Sequence, residues 1–113
     1  MPARIGFAPR RKQMLEAELG RILEMFPQLG VEQAYLVGDM ALDKVQPDSL
    51  LEIVVVQDIP GYFHRRSDFF SSHLSPMVGS RYMVYTPEEF HAQKDTNAYL
   101  RNALKTGRLV FES

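Results

Sequence analysis

The chain contains no cysteine. Disulfides, thiolate nucleophiles and zinc–thiolate centres are therefore excluded. No run approaches the roughly 20 consecutive apolar residues that a membrane span requires. The basic start, "MPARIGFAPRRK", is not followed by an apolar stretch of signal-peptide length. The expectation is a soluble cytoplasmic protein with no membrane partner. A surplus of one charge is missing as well, since 13 basic residues face 14 acidic ones and the formal net charge is −1. Without a global field to attract a polyanion, nucleic acid is not an expected partner. Internal repeats and low-complexity tracts are absent. His64, His73 and His91 lack the i, i+4 spacing that sets two ligands on one helix face, so no histidine metal site is expected.

What is present is ordinary globular composition, 45% hydrophobic and 24% charged, which argues against disorder. The length suits one domain with a single core. Residues 1–9, with Pro2, Gly6 and Pro9, read as an irregular arm, and residues 10–113 as the domain. From Arg10 onward, Met14, Leu15, Leu19, Ile22, Leu23 and Phe26 recur at spacings of three and four. That pattern predicts a helix with one apolar stripe, with Glu16, Glu18, Arg21 and Glu24 mostly on its other face. Pro27 and Gly30 are expected to stop it near Phe26. "QAYLVG", residues 33–38, is β-prone. "LLEIVVVQD", residues 50–58, is the strongest strand signal and is apolar enough to be covered on both faces. Residues 62–74 read as a helix, and "GSRYMVYT", residues 79–86, as a third strand. Thr86, Pro87, Glu88 and Glu89 supply an N-cap, a first-turn proline and acids at the positive end of a helix. Helical character continues to Gly107, and residues 108–112 add a last short strand. The sum is an α+β fold of two layers: a small mixed β-sheet with helices packed on it.

Between the first two strands lies "GDMALDKVQPDSLLEI", residues 38–53. Here the chain resembles the minimal nucleotidyltransferases of the DNA polymerase β type, whose signature is GSxxxGxxxxxSDxD. Laid on it without a gap, Gly38 matches the first glycine and Asp39 falls on the serine. Asp43 falls on the second glycine and Ser49 on the second serine. Leu50 and Glu52 fall on the two acids. The tail "YMVYTPEEFHAQKDTNAYLRNALKTGRLVFE" is similar to the family's ending, and Arg81 is the best match to its third acid.

The resemblance implies a nucleotidyltransferase-like fold. In a working member, paired carboxylates hold magnesium against a triphosphate, and the D-x-D spacing suits this because a strand sends alternate side chains to one face. Leu50 has no donor atom. Glu52 keeps a carboxylate but adds a methylene. A cation at Arg81 would repel a divalent ion by several kcal/mol at an effective dielectric near ~20. Asp39 repels phosphate, and Asp43 hinders close backbone approach. The expectation is thus a vestigial site of Gly38, Asp39, Ser49, Leu50, Glu52 and Arg81, with catalysis lost and no cofactor. Glu52 is expected to pair with Arg81 across adjacent strands, because an unpaired acid in an apolar run is costly.

Such a protein would act through protein contacts, as an antitoxin-like module with a second copy of itself or a small protein partner. Met40 and Leu42, if exposed, suit such a contact. The alternative is an active or nucleotide-binding enzyme using ATP and magnesium. It would hold metal on relocated acids, Asp48 and Glu52, and nucleotide near Gly38, Asp39 and Ser49. Two basic clusters remain. "FAPRRK", residues 7–12, reads as an anion contact or a solubilising arm. "HRRSDFF", residues 64–70, reads as a helix with an aromatic core face and a basic solvent face.

Overall fold

The first apolar stripe forms one long helix, α1 (Phe7–Leu29), which buries Leu15, Leu19, Ile22 and Phe26. In this computed structural model the described residues are 7–74 and 79–113, without the side chains of residues 7, 8, 64 and 71–74. Residues 1–6 of the expected arm, Met77 and the side chains of His64 and His73 lie outside that description. α1 begins at Phe7, earlier than the expected Arg10. Pro9 falls in its first turn, where a missing N–H leaves no helical bond unmade. The helix also runs past Pro27 and ends in a motif built on Gly30, whose φ is +81°. Val31 N donates to Phe26 O at 3.2 Å and Gly30 N to Pro27 O at 3.3 Å, which satisfies two carbonyls of the last turn. Two side chains depart from the expected stripe. Met14 is 45% exposed, whereas Glu18 is buried beside Arg21 Nε at 2.7 Å.

β1 (Gln33–Val37) and β2 (Leu51–Val56) are antiparallel neighbours. The chain then crosses through α2 (Phe63–Leu74) to β3 (Ser80–Tyr85), which lies parallel to β2. A parallel pair needs such a crossover, because a tight turn cannot join it. After α3 (Pro87–Gln93) and α4 (Ala98–Thr106), β4 (Arg108–Glu112) returns antiparallel to β1. The strand order is β3-β2-β1-β4, a mixed sheet in an α+β fold. The β1–β4 register slips between Ala34 and Tyr35, which marks a bulge. Leu51 and Ile53 through Val56 are all buried, as a strand covered on both faces requires.

On one face α1 and α2 pack over Leu36, Ile53, Val55, Tyr82 and Val84. The Phe26 ring meets Phe70 and Phe111 edge-on, with centroids 6.2 and 5.6 Å away. The other face holds a smaller cluster of Val37, Val54, Tyr85 and Leu100, where Tyr35 stacks on Phe90. Among the described residues no helix is long and apolar enough to cross a membrane.

A buried guanidinium joins three of these elements. Arg66 is 7% exposed. Its Nε and Nη2 donate to Gly61 O at 3.1 and 2.8 Å, and its Nη1 donates to Val84 O at 3.2 Å. Nη1 and Nη2 also hold the two oxygens of Glu89. Glu89 in turn closes the expected cap of α3. Its carboxylate accepts from Thr86 N at 2.9 Å, while the Thr86 hydroxyl accepts from Glu89 N. The Arg66 hydrogen bond, with help from the cap, holds the Glu89 carboxyl below the usual range.

Candidate functional site

β1 ends at Val37, directly opposite Glu52 of β2. The next residue, Gly38, has φ +75°, and a Cβ built on it would lie 1.8 Å from Glu52 Oε2. The carboxylate therefore occupies the space that any other residue would fill. Its Oε1 faces Arg81 Nη1 at 3.5 Å, because parallel register sets Glu52 beside Arg81. This is the pair that the sequence leads one to expect. Arg81 is 64% exposed, so water weakens the pair to about 0–1 kcal/mol.

The loop after Gly38 makes one helical turn and stops at Asp43, which sits in the left-handed region at φ 56°. Lys44 N donates to Asp39 O at 2.9 Å and Asp43 N to Met40 O at 3.2 Å, the same closure that ends α1. Ser49 is buried. Its hydroxyl accepts from Gln46 N and donates to Asp39 Oδ2, both at 2.7 Å.

α1 then clamps the loop from outside. Arg11 Nε donates to Ser49 O at 2.9 Å, and Lys12 Nζ to Asp43 Oδ1 at 2.8 Å. That hydrogen bond raises the Lys12 pKa and lowers that of Asp43. The basic cluster of residues 7–12 is thus partly engaged within the fold, where the sequence suggests an anion contact or a free arm.

The acids of this stretch diverge. Asp39 turns to Ser49, Asp43 to Lys12 and Glu52 to Arg81, while Asp48 is exposed. Among the described residues, no three His, Asp or Glu side chains come together to hold a metal ion. Around Glu52 the surface is largely hydrocarbon. Leu42 and Tyr99 are 44 and 48% exposed, and Leu50, beside Gly79, is 41% exposed. Gly38, Leu42, Glu52 and Tyr99 line a shallow depression of about 250 Å³. Met40 is buried in the core, so of the two residues expected to suit a contact only Leu42 offers one.

Tyr99 was not among the sequence candidates. Partial burial, then the charge of Glu52, pushes its phenol pKa up. Its signal lay in the row Tyr99, Asn102, Ala103 and Thr106, which the i, i+3, i+4, i+7 rule sets on one face of α4 and which lines the depression. The expected basic solvent face of "HRRSDFF" is only half present. Arg65 is exposed, but Arg66 is buried in the clamp described above.

Gly38→Ala tests the close approach. Alanine at a left-handed φ costs about 1–2 kcal/mol, and its methyl group must also displace the Glu52 carboxylate. The expected fall in thermal midpoint is about 4–8 °C or more. In a Glu52→Ala background the same change should cost less, because the clash is gone. Equal costs in the two backgrounds would show that the carboxylate does not fill this space.

Compared with family models, with curated proteins and with solved structures, the chain matches none of them.

Proposed function

We propose that this chain is a nucleotidyltransferase-like protein that has lost the transfer reaction and works through protein contacts. The observation that carries this reading is the state of Glu52. Its carboxylate lies against Gly38 and faces a guanidinium, where metal chemistry would need a second acid. Leu50, two residues earlier and just outside β2, has no donor atom to supply one. The ungapped match to the family signature gains support from Asp43. It falls on the family's second glycine and adopts the left-handed conformation glycine favours, which aspartate tolerates better than most residues. The acid at position 39 is turned into the loop by Ser49, which ties off the segment that would approach a phosphate.

What this surface offers instead is two exposed apolar side chains, Leu42 and Tyr99, beside one ion pair. An apolar patch with a polar centre suits a protein partner, either a second copy or a small protein. Two measurements test the reading. Adding ATP and magnesium should leave the thermal midpoint unchanged. A ligand at about 100 times its dissociation constant would add about 2.7 kcal/mol, roughly 11 °C here. Incubation with labelled ATP should transfer no label to protein or RNA. Label transfer that disappears with Glu52→Ala would overturn the proposal. Sedimentation of the wild type and of Leu42→Glu then reads self-association at this face.

A further inference from the structure

The opposite end of β2 carries a second concave site. Glu52 is the second residue of β2 and Gln57 follows the strand, so the two lie about 16 Å apart at ~3.3 Å per residue. Past Val56 the chain turns through Asp58, Ile59, Pro60 and Gly61 into α2. This turn and the first two turns of α2 enclose a cavity of about 440 Å³. In open α/β sheets such crevices beyond the carboxyl ends of strands hold small ligands, and this cavity lies beyond the carboxyl end of β2, beside its parallel crossover.

Gln57 lines the cavity and is only 6% exposed. Its Nε2 donates to Leu29 O at 2.5 Å. A carbonyl can only accept, so the amide orientation is fixed and Oε1 must face elsewhere. That oxygen is sealed from the cavity and, among the described residues, has no hydrogen-bond partner. Two side chains of opposite charge stand on the rim, Asp58 and Arg65, both exposed. Neither takes part in an ion pair among the described residues. Arg66, by contrast, is saturated by Gly61, Val84 and Glu89. Ile59 and Phe69, both partly buried against the core, give the cavity an apolar floor.

The complement of this site is specific. The exposed Asp58 carboxylate asks for a cationic donor with several N–H groups. One guanidinium, that of Arg65, asks for a small anion. The floor asks for hydrocarbon. We propose that the cavity takes a free α-amino acid with an apolar side chain. Its ammonium group meets Asp58, its carboxylate meets Arg65, and its side chain lies on Ile59 and Phe69.

The probe is L-phenylalanine, titrated to about 10 mM into the full chain while amide proton–nitrogen spectra are recorded, a range that reads millimolar affinity. Saturable shifts are expected at residues 57–69. Phenethylamine lacks the carboxylate and 3-phenylpropionate lacks the ammonium. Each should bind at least about tenfold more weakly, the worth of one charge-assisted hydrogen bond. Arg65→Ala and Asp58→Asn should do the same to phenylalanine. Both residues are exposed and unpaired, so an unchanged thermal midpoint will show that these variants fold. Absence of saturable shifts, equal binding of either analogue, or unchanged affinity in both folded variants would overturn the proposal.

Discussion

Arg66→Ala is expected to lower the thermal midpoint by about 12 °C, which corresponds to about 3 kcal/mol at roughly 4 °C per kcal/mol for a chain of this size. Breaking a buried ion pair from one side leaves the partner uncompensated, which usually costs about 3–5 kcal/mol. The lower end applies because the Glu89 side chain is still 34% exposed and water can recover part of its solvation. The carbonyls of Gly61 and Val84 also lose their donor. Lysine should not rescue the loss, because one ammonium cannot reproduce a planar fork reaching two carbonyls and a carboxylate.

The same clamp sets an acid dependence. Glu89 has a folded pKa below its unfolded value, which is about 4.3. Its contribution is therefore complete above that unfolded value. It declines as pH falls through the window beneath, down to the depressed folded pKa. Glu89→Gln should remove this component, so the difference in stability between wild type and variant should shrink on acidification below about pH 4. A constant difference down to pH 2 would contradict the assignment.

Phe26→Ala is the second large effect. Phe26 is fully buried, its ring meets Phe70 and Phe111 edge-on, and its carbonyl closes the end of α1. Removing a buried phenylalanine costs about 3–5 kcal/mol, because the lost transfer energy adds to a cavity that rigid neighbours cannot fill. Domains of this size hold only about 5–15 kcal/mol in total. A urea titration should show the midpoint reduced by a large fraction with little change in slope. A fall of less than about 1 kcal/mol would mean that the helix and sheet close over the gap.

Much of this architecture was legible in the residues. The apolar run of β2, the strand at β3 and the Thr86-Pro87-Glu88-Glu89 start of α3 each rest on local chemistry, and each stands in the structure. The ends of α1 were not legible. Pro27 looks like a stop, but a proline in a last turn loses only one bond, and Gly30 supplies the true stop three residues later. Glu18 looks solvated because charge usually is, yet Arg21 one turn on lets it sit in the core. At the candidate site the Glu52–Arg81 pair was legible because register follows from two strands. The clamp of Arg66 was not, since its partners lie 5, 18 and 23 residues away and no periodicity connects them. Arg11 on Ser49 and Lys12 on Asp43 were hidden for the same reason, at separations of 38 and 31.

The two outer strands bear on how copies of this chain can meet. In β3 the carbonyls of Gly79 and Tyr85 point to β2, so that of Val84 points outward, and Arg66 already occupies it. In β4 the slip beside Ala34 twists the ladder, and charged Arg108 and Glu112 flank it. Both borders are thereby spoiled as templates for strand addition. Fibrillar stacking through the two sheet edges is thereby disfavoured.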